Sequence, residues 1–126
     1  MPKKLRLEAG GLELEAELNE TGVAQAVWEI LPISAHCTRW GEEIYFAIPV
    51  DMENENGQEV VELGDVAYWP PGRALCLFFG PTPASRGDEA RAASAVTVLG
   101  RIVGDPTVLT DIQSGTEIVL KQTGND

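Results

Sequence analysis

Short runs with an apolar residue at every second position, separated by turns rich in Gly and Pro, restrict this chain to sheet-built folds. In Lys3–Glu8, Leu5 and Leu7 share one face. Gly10-Gly11 follows, a pair that takes positive φ readily, and Leu12, Leu14, Ala16 and Leu18 then alternate again. A period of two sends successive side chains to opposite faces of a strand, so such a run buries one face only. The pattern predicts a hairpin here.

The period changes once. Val23, Val27, Ile30 and Leu31 recur at helical spacing behind Thr21, a suitable N-cap, and Pro32 ends the pattern, which predicts one short helix. From Ile33 the alternation returns: Ile33, Ala35 and Cys37 face one way, and Ser34, His36, Thr38 and Trp40 the other. After a turn at Gly41-Glu42-Glu43, Ile44, Phe46 and Ile48 alternate with Tyr45 and Ala47 up to Pro49, and these two segments are expected to pair. Residues 51–58 read as a polar loop with Asn56-Gly57 at its tip, and Val60-Val61 resumes a strand.

Gly64-Asp65 reads as a turn, Val66–Trp69 as a strand, and Pro70-Pro71-Gly72 as a stiff bend. Ala74–Phe79 (ALCLFF) is apolar on both faces, which predicts a strand through the middle of the sheet. Gly80–Ser94 reads as a long loop, with one helical turn expected over Asp88–Ala93. Strands are predicted at Ala95–Val103 and Glu117–Lys121, with turns at Gly104-Asp105-Pro106 and Gln113-Ser114-Gly115 and a frayed tail from Gln122 to Asp126. About eight strands and one helix after the first hairpin predict a mainly β protein. A closed β-barrel is preferred to a sandwich because closure removes unpaired edges.

Length and charge narrow the functional classes. The 126 residues suit a single domain, 1–126, that buries roughly two thirds of the surface of its unfolded chain. The formal net charge of -11 repels phosphate backbones and anionic membranes, so neither nucleic acid nor membrane is expected as a partner. The two cysteines, Cys37 and Cys76, sit in runs that alternate or are apolar throughout, far from CxxC spacing. With a single histidine, few soft ligands remain, and neither a metal nor a cofactor is expected. The basic start, MPKKLRLEAGG, has no apolar stretch behind it, and the expected location is cytoplasmic.

The stretches GEEIYFAIPV, ELGDVAYWPPGRALCLFFGPTP and AASAVTVLGRI resemble the small bacterial and archaeal cyclophilin-like proteins, long a domain of unknown function, over about Leu5 to Leu120. The resemblance implies a closed β-barrel of cyclophilin type with a short helix against an open end. It also implies prolyl isomerisation as an activity by fold analogy only. The Phe-His-Arg run of true cyclophilins does not occur, and the one histidine lies in Ala35-His36-Cys37.

Candidate site residues cluster near turns. Arg73, after the PPG bend, is the candidate hydrogen-bond donor for a prolyl isomerase. Tyr68 and Trp69 are on opposite faces by parity, so only one of them is expected to serve a site. Trp40, Tyr45, Tyr68, Trp69, Arg73 and Phe79 together are expected to line one barrel end and hold a peptide segment or small ligand. A weak isomerase is the alternative reading. The other is an accessory domain completed by a protein partner, or a homo-oligomer. Glu42 and Glu43, adjacent in an extended chain, are expected to point apart. Asp65 is expected to accept from turn N–H groups, and Arg86 and Arg91 to pair locally with Asp88 or Glu89.

Overall fold

Lys4–Ala9 (β1) and Leu12–Leu18 (β2) form the predicted hairpin in the computed structural model, which describes residues 3–123. Its turn works because Gly10 and Gly11 both adopt positive φ, 55° and 86°, the primed geometry that matches strand twist. Gly22–Ile30 (α1) follows. Thr21 caps it by accepting from the Ala24 N–H at 3.1 Å, and Val23, Ala24, Val27 and Trp28 are its buried residues. The remaining strands are Ile33–His36 (β3), Thr38–Arg39 (β4), Glu43–Ala47 (β5), Gln58–Val61 (β6), Asp65–Trp69 (β7), Ala74–Phe78 (β8), Ala90–Val103 (β9) and Glu117–Gln122 (β10). Asn56 has φ 56°, as expected of the loop tip before β6.

The described residues are thus mainly β, with one short α-helix and ten strands against the eight or so expected. The ladder runs β3-β10-β1-β2-β9-β7-β8-β5-β4, with β6 attached to β9 off this path. It has two ends, β3 and β4, and no ladder joins them, which corrects the closed barrel expected from sequence. Both ends belong to one stretch interrupted at Cys37. The Cys37 N–H donates to the Thr116 carbonyl at 3.0 Å, and the Cys37 carbonyl accepts from Gly115 N–H at 2.8 Å. The first half of the stretch faces β10 and the second half faces β5. Strands of four and two residues that follow one another in the chain cannot also ladder side by side.

Two further corrections concern the second half. The helical turn expected at Asp88–Ala93 is absent: β9 already begins at Ala90 and continues for 14 residues. Pairing with β6 outweighs the helix propensity of this Glu- and Ala-rich stretch, and small Ala side chains carry little alternation for a reader of sequence. Pro106–Asp111 forms a 3-10 turn capped by Asp105, where only a bend was expected. The frayed end expected for the tail lies in part outside the described residues. Gln122 ends β10, and Thr123 N–H donates to the Lys4 carbonyl at 3.0 Å.

Strand parity divides the core. Ile44 and Phe46 of β5, Val66 and Tyr68 of β7, and Leu75 and Leu77 of β8 enter the main cluster with the residues of α1 and the first hairpin. Their neighbours Ala67, Cys76 and Phe78 point to the opposite face, where Val61 of β6 and Ala90, Ala92 and Val96 of β9 cover them. The early part of β9 leaves the main ladder to pair with β6, so it lies across the outside of the sheet as an arm.

Candidate functional site

A cavity of about 220 Å³ opens between that arm and the outer face of the sheet. Glu43 and Tyr45 reach it from β5, Trp69 from the end of β7 and Cys76 from β8. Trp40 comes from the β4–β5 turn, and Ala92, Ala93 and Val96 form the β9 wall. Each sheet residue arrives by the period of two: Glu43 and Tyr45 are two apart, and Tyr45 pairs across the ladder with Cys76. Ala92 and Ala93 leave space where larger side chains would fill it.

The aromatic walls are fixed by their surroundings. The Trp69 Nε1–H donates to Ser94 Oγ at 2.7 Å, tying the indole to the arm. Gly72 lies beneath the same ring. A Cβ there would stand 2.7 Å from Cζ3 and 2.8 Å from Cε3, so the 3-10 bend at Pro70–Gly72 requires glycine for the indole to keep its place. Trp40 N–H donates to the Glu43 carbonyl at 2.8 Å, closing the turn that carries both side chains.

Glu43 is the unusual group. It is only 4% exposed, and its Oε1 has no hydrogen-bond partner among the described residues. Burial raises its carboxyl from 4.5 to about 7, against a smaller lowering by the Cys76 thiol. The Cys76 thiol is itself pushed well above its ordinary range, first by burial and then by Glu43, so it stays protonated and is no nucleophile. At neutral pH the Glu43 carboxyl therefore exists in both forms, able to donate from one and accept with either.

The six residues expected at one barrel end are split three ways. Trp40, Tyr45 and Trp69 meet at the cavity. Tyr68 faces the main core with none of its surface exposed, its hydroxyl donating to Val50 O at 2.6 Å and accepting from Met52 N–H at 3.3 Å. Phe79 is buried in the main core, with the Arg39 guanidinium 5.0 Å from its ring centre. Arg73 does not line the cavity. It holds a left-handed conformation, φ 48°, and its side chain, 65% exposed, reaches Asp51 at 3.5 Å.

The other sequence readings resolve locally. Glu42 and Glu43 do point apart, Glu42 pairing with Arg39 at 3.0 Å. Asp65 Oδ2 accepts from Glu62 N–H at 2.9 Å. Arg91 pairs with Glu89 at 3.0 Å and Glu59 at 3.4 Å, whereas Arg86 meets Glu89 through its backbone N–H, at 2.9 Å, and not through the ion pair expected. The Ser85 hydroxyl donates to the Glu89 carbonyl at 2.5 Å, so it carries no sign of an activated nucleophile. His36 is exposed on β3. No group of three metal-ligating side chains occurs among the described residues, and none of their helices is long and apolar enough to cross a membrane.

The sequence reading missed Glu43, Cys76 and the β9 wall. Gly41-Glu42-Glu43 reads as a turn from sequence. The available signal was parity, because a strand beginning one residue earlier puts Glu43 on the face of Tyr45 rather than that of Ile44.

The architecture defines a mainly β domain with a small lateral pocket. The chain belongs to the family described as Cyclophilin-like, whose model matches residues 3–121. Among solved structures it is similar to a hypothetical protein from Archaeoglobus fulgidus, determined in solution. The two are 44% identical with a TM-score of 0.81, and the match covers 97% of this chain and 95% of the other. A comparison with curated proteins finds no match.

Proposed function

We propose that this cyclophilin-like domain is a binding module whose lateral pocket takes one small apolar group carrying a hydrogen-bond donor. The observation that carries this reading is Glu43, a buried carboxyl residue that lines the cavity together with Trp40, Tyr45 and Trp69 and whose Oε1 has no partner. A buried carboxyl short of partners costs about 1–3 kcal/mol, and a ligand donor reaching it from the cavity would recover part of that cost on binding. The cavity is smaller than the roughly 300–1,000 Å³ that drug-sized ligands occupy, so a ring or a single side chain of a peptide suits it better than a large metabolite.

Prolyl isomerisation remains the alternative. It would need a donor beside the bound ring, and Arg73, the sequence candidate, is engaged with Asp51 outside the cavity lining. A role with a protein partner is the third reading.

One titration separates them. Amide and indole NMR spectra are recorded while adding a proline-containing peptide and a set of single-ring ligands with and without a donor. Binding to the pocket shifts Trp40, Tyr45, Trp69 and Val96, prefers ligands with the donor, and disappears in Ala93→Leu, which narrows the mouth from an exposed position of the arm. Faster cis–trans exchange of the peptide, lost in Arg73→Ala, would replace the binding reading by an isomerase. Absence of shifts with every ligand would overturn the pocket and favour the partner-dependent role.

A further inference from the structure

The pocket is lined by one carboxyl residue, Glu43, and three aromatic rings, and that combination selects for charge as well as for a donor. We propose that the pocket is selective for an alkylammonium group, brought by a small free amine or by a lysine side chain, with Glu43 as counter-ion and Trp40, Tyr45 and Trp69 around the alkyl stem. The inference rests on the pocket being a ligand site and names the ligand's chemical class.

Three observations support a cation. The first is the unpartnered Glu43 Oε1: ionising this buried carboxylate is costly when it is alone and far less so beside a positive charge that also brings up to three donors. The second is the wall. Aromatic faces carry negative potential, and a cation within about 6 Å of a ring gains roughly 0.5–2 kcal/mol, more as water is excluded. None of the residues lining the cavity is basic, so no protein cation already occupies this place. The third is the long-range field. A net charge of -11 draws cations toward the molecule and repels anionic ligands.

An open groove beside the pocket adds to this. Asp51, Glu53, Pro70, Pro71, Ser94 and Ala95 line it, and the Trp69–Ser94 hydrogen bond joins its edge to the wall of the cavity. Glu53, and Asp51 beside its partner Arg73, give it carboxylates as well, and Pro70 and Pro71 of the 3-10 bend provide an apolar shelf for a peptide backbone. A lysine side chain could therefore enter the cavity while its chain lies in the groove.

The groups facing Glu43 settle how pH acts on it. From β5 there is the Tyr45 phenol and from β8 the Cys76 thiol; Trp40, Trp69, Ala92, Ala93 and Val96 bring no titratable group. Glu43 thus controls the charge of the cavity, ionised above about 7 and neutral below.

The probe is n-butylamine, cationic up to about pH 10, compared with 1-butanol as its neutral analogue, at about pH 5.5 and about pH 8.5 in a His36→Gln background that removes the one imidazole. Affinities are read from indole and amide shifts. Butylamine is expected to bind about tenfold or more tightly at the higher pH, while butanol is indifferent to pH, and Glu43→Gln abolishes the difference. An Nα-acetyl-lysine amide that binds more tightly than butylamine identifies a lysine side chain as the source, and one that binds more weakly identifies a free amine. Butanol binding as tightly as butylamine at about pH 8.5 overturns the cation selectivity while leaving a donor-binding pocket standing. Retention of the pH effect in Glu43→Gln also overturns it, assigning the effect to the general acidic surface. If neither probe binds, both readings fall.

Discussion

Strands β5, β7 and β8 present two faces, made by the same backbone and the same ladders, with opposite outcomes. On the inner face Ile44, Phe46, Val66, Leu75 and Leu77 are closed in by the first hairpin and α1, and the one polar group there, the Tyr68 hydroxyl, is satisfied twice by the Val50–Met52 backbone. The outer face is covered by a single arm, β6 with the first half of β9. There Glu43, which lines the cavity, keeps a buried oxygen without a partner. Two carboxylates show what burial and partners do to charge: Glu89, bound by the Arg86 N–H and then by the Arg91 side chain, is lowered to about 2, while Glu43, buried, rises to about 7. The difference lies in what covers each face rather than in the strands themselves. A face covered all round becomes core, and a face covered by one arm can keep a cavity.

The largest test of this contrast is removal of a ring from the inner face. Tyr68→Ala is expected to cost about 3–5 kcal/mol, because it opens a cavity in closed packing and strands the Val50 carbonyl and Met52 N–H. Ala93→Leu on the rim of the outer face is expected to change stability by less than about 0.5 kcal/mol. Urea unfolding of both variants checks the comparison, and equal losses would mean that the two faces are packed alike.

Next in size is the pH dependence carried by Glu43. Its unfolded value is 4.5 and its folded value about 7, so the native state keeps a proton that the unfolded chain gives up. Below the unfolded value this costs nothing. As pH rises from there to about 7, stability falls, and beyond that the loss is complete at about 3 kcal/mol. Glu43→Gln mimics the protonated form and should lack this decline, becoming the more stable protein in alkaline buffer. Thermal or urea unfolding of both across that range would refute the assignment if the two curves ran parallel. Glu89, held near 2, does not titrate in the window.

The first hairpin, α1 with its Thr21 cap, and the buried central β8 were legible in the sequence because each rests on a local signal: period, cap or turn residue. The inside-outside split of Tyr68 and Trp69 also followed from parity, although which one faced inward did not. What could not be read depends on distant partners. β9 starts at Ala90 because β6 pairs with it, and an Ala-rich run carries no period strong enough to reveal that. The β3–β4 stretch is broken at Cys37, whose backbone bonds to Gly115 and Thr116 nearly eighty residues away, and its two parts are the two ends of the ladder. Of the site, the three aromatics that met were found by their position near turns. Glu43 was hidden because a charged residue beside a glycine reads as a turn until a strand places it under a distant arm.

The smallest expected effect tests whether the arm holds the pocket's wall or merely lies against it. Ser94→Ala removes the acceptor of the Trp69 indole N–H, a half-buried group that water can partly replace, so the stability cost should be no more than about 1 kcal/mol. The indole is a side wall, however, and Gly72 beneath it offers no side chain to hold it. The Trp69 indole N–H resonance should then exchange faster with solvent and ligand affinity should fall, with the fold and the inner face unchanged. An indole signal as protected as before would mean that packing alone fixes the ring, and that the arm shapes the cavity without tethering it.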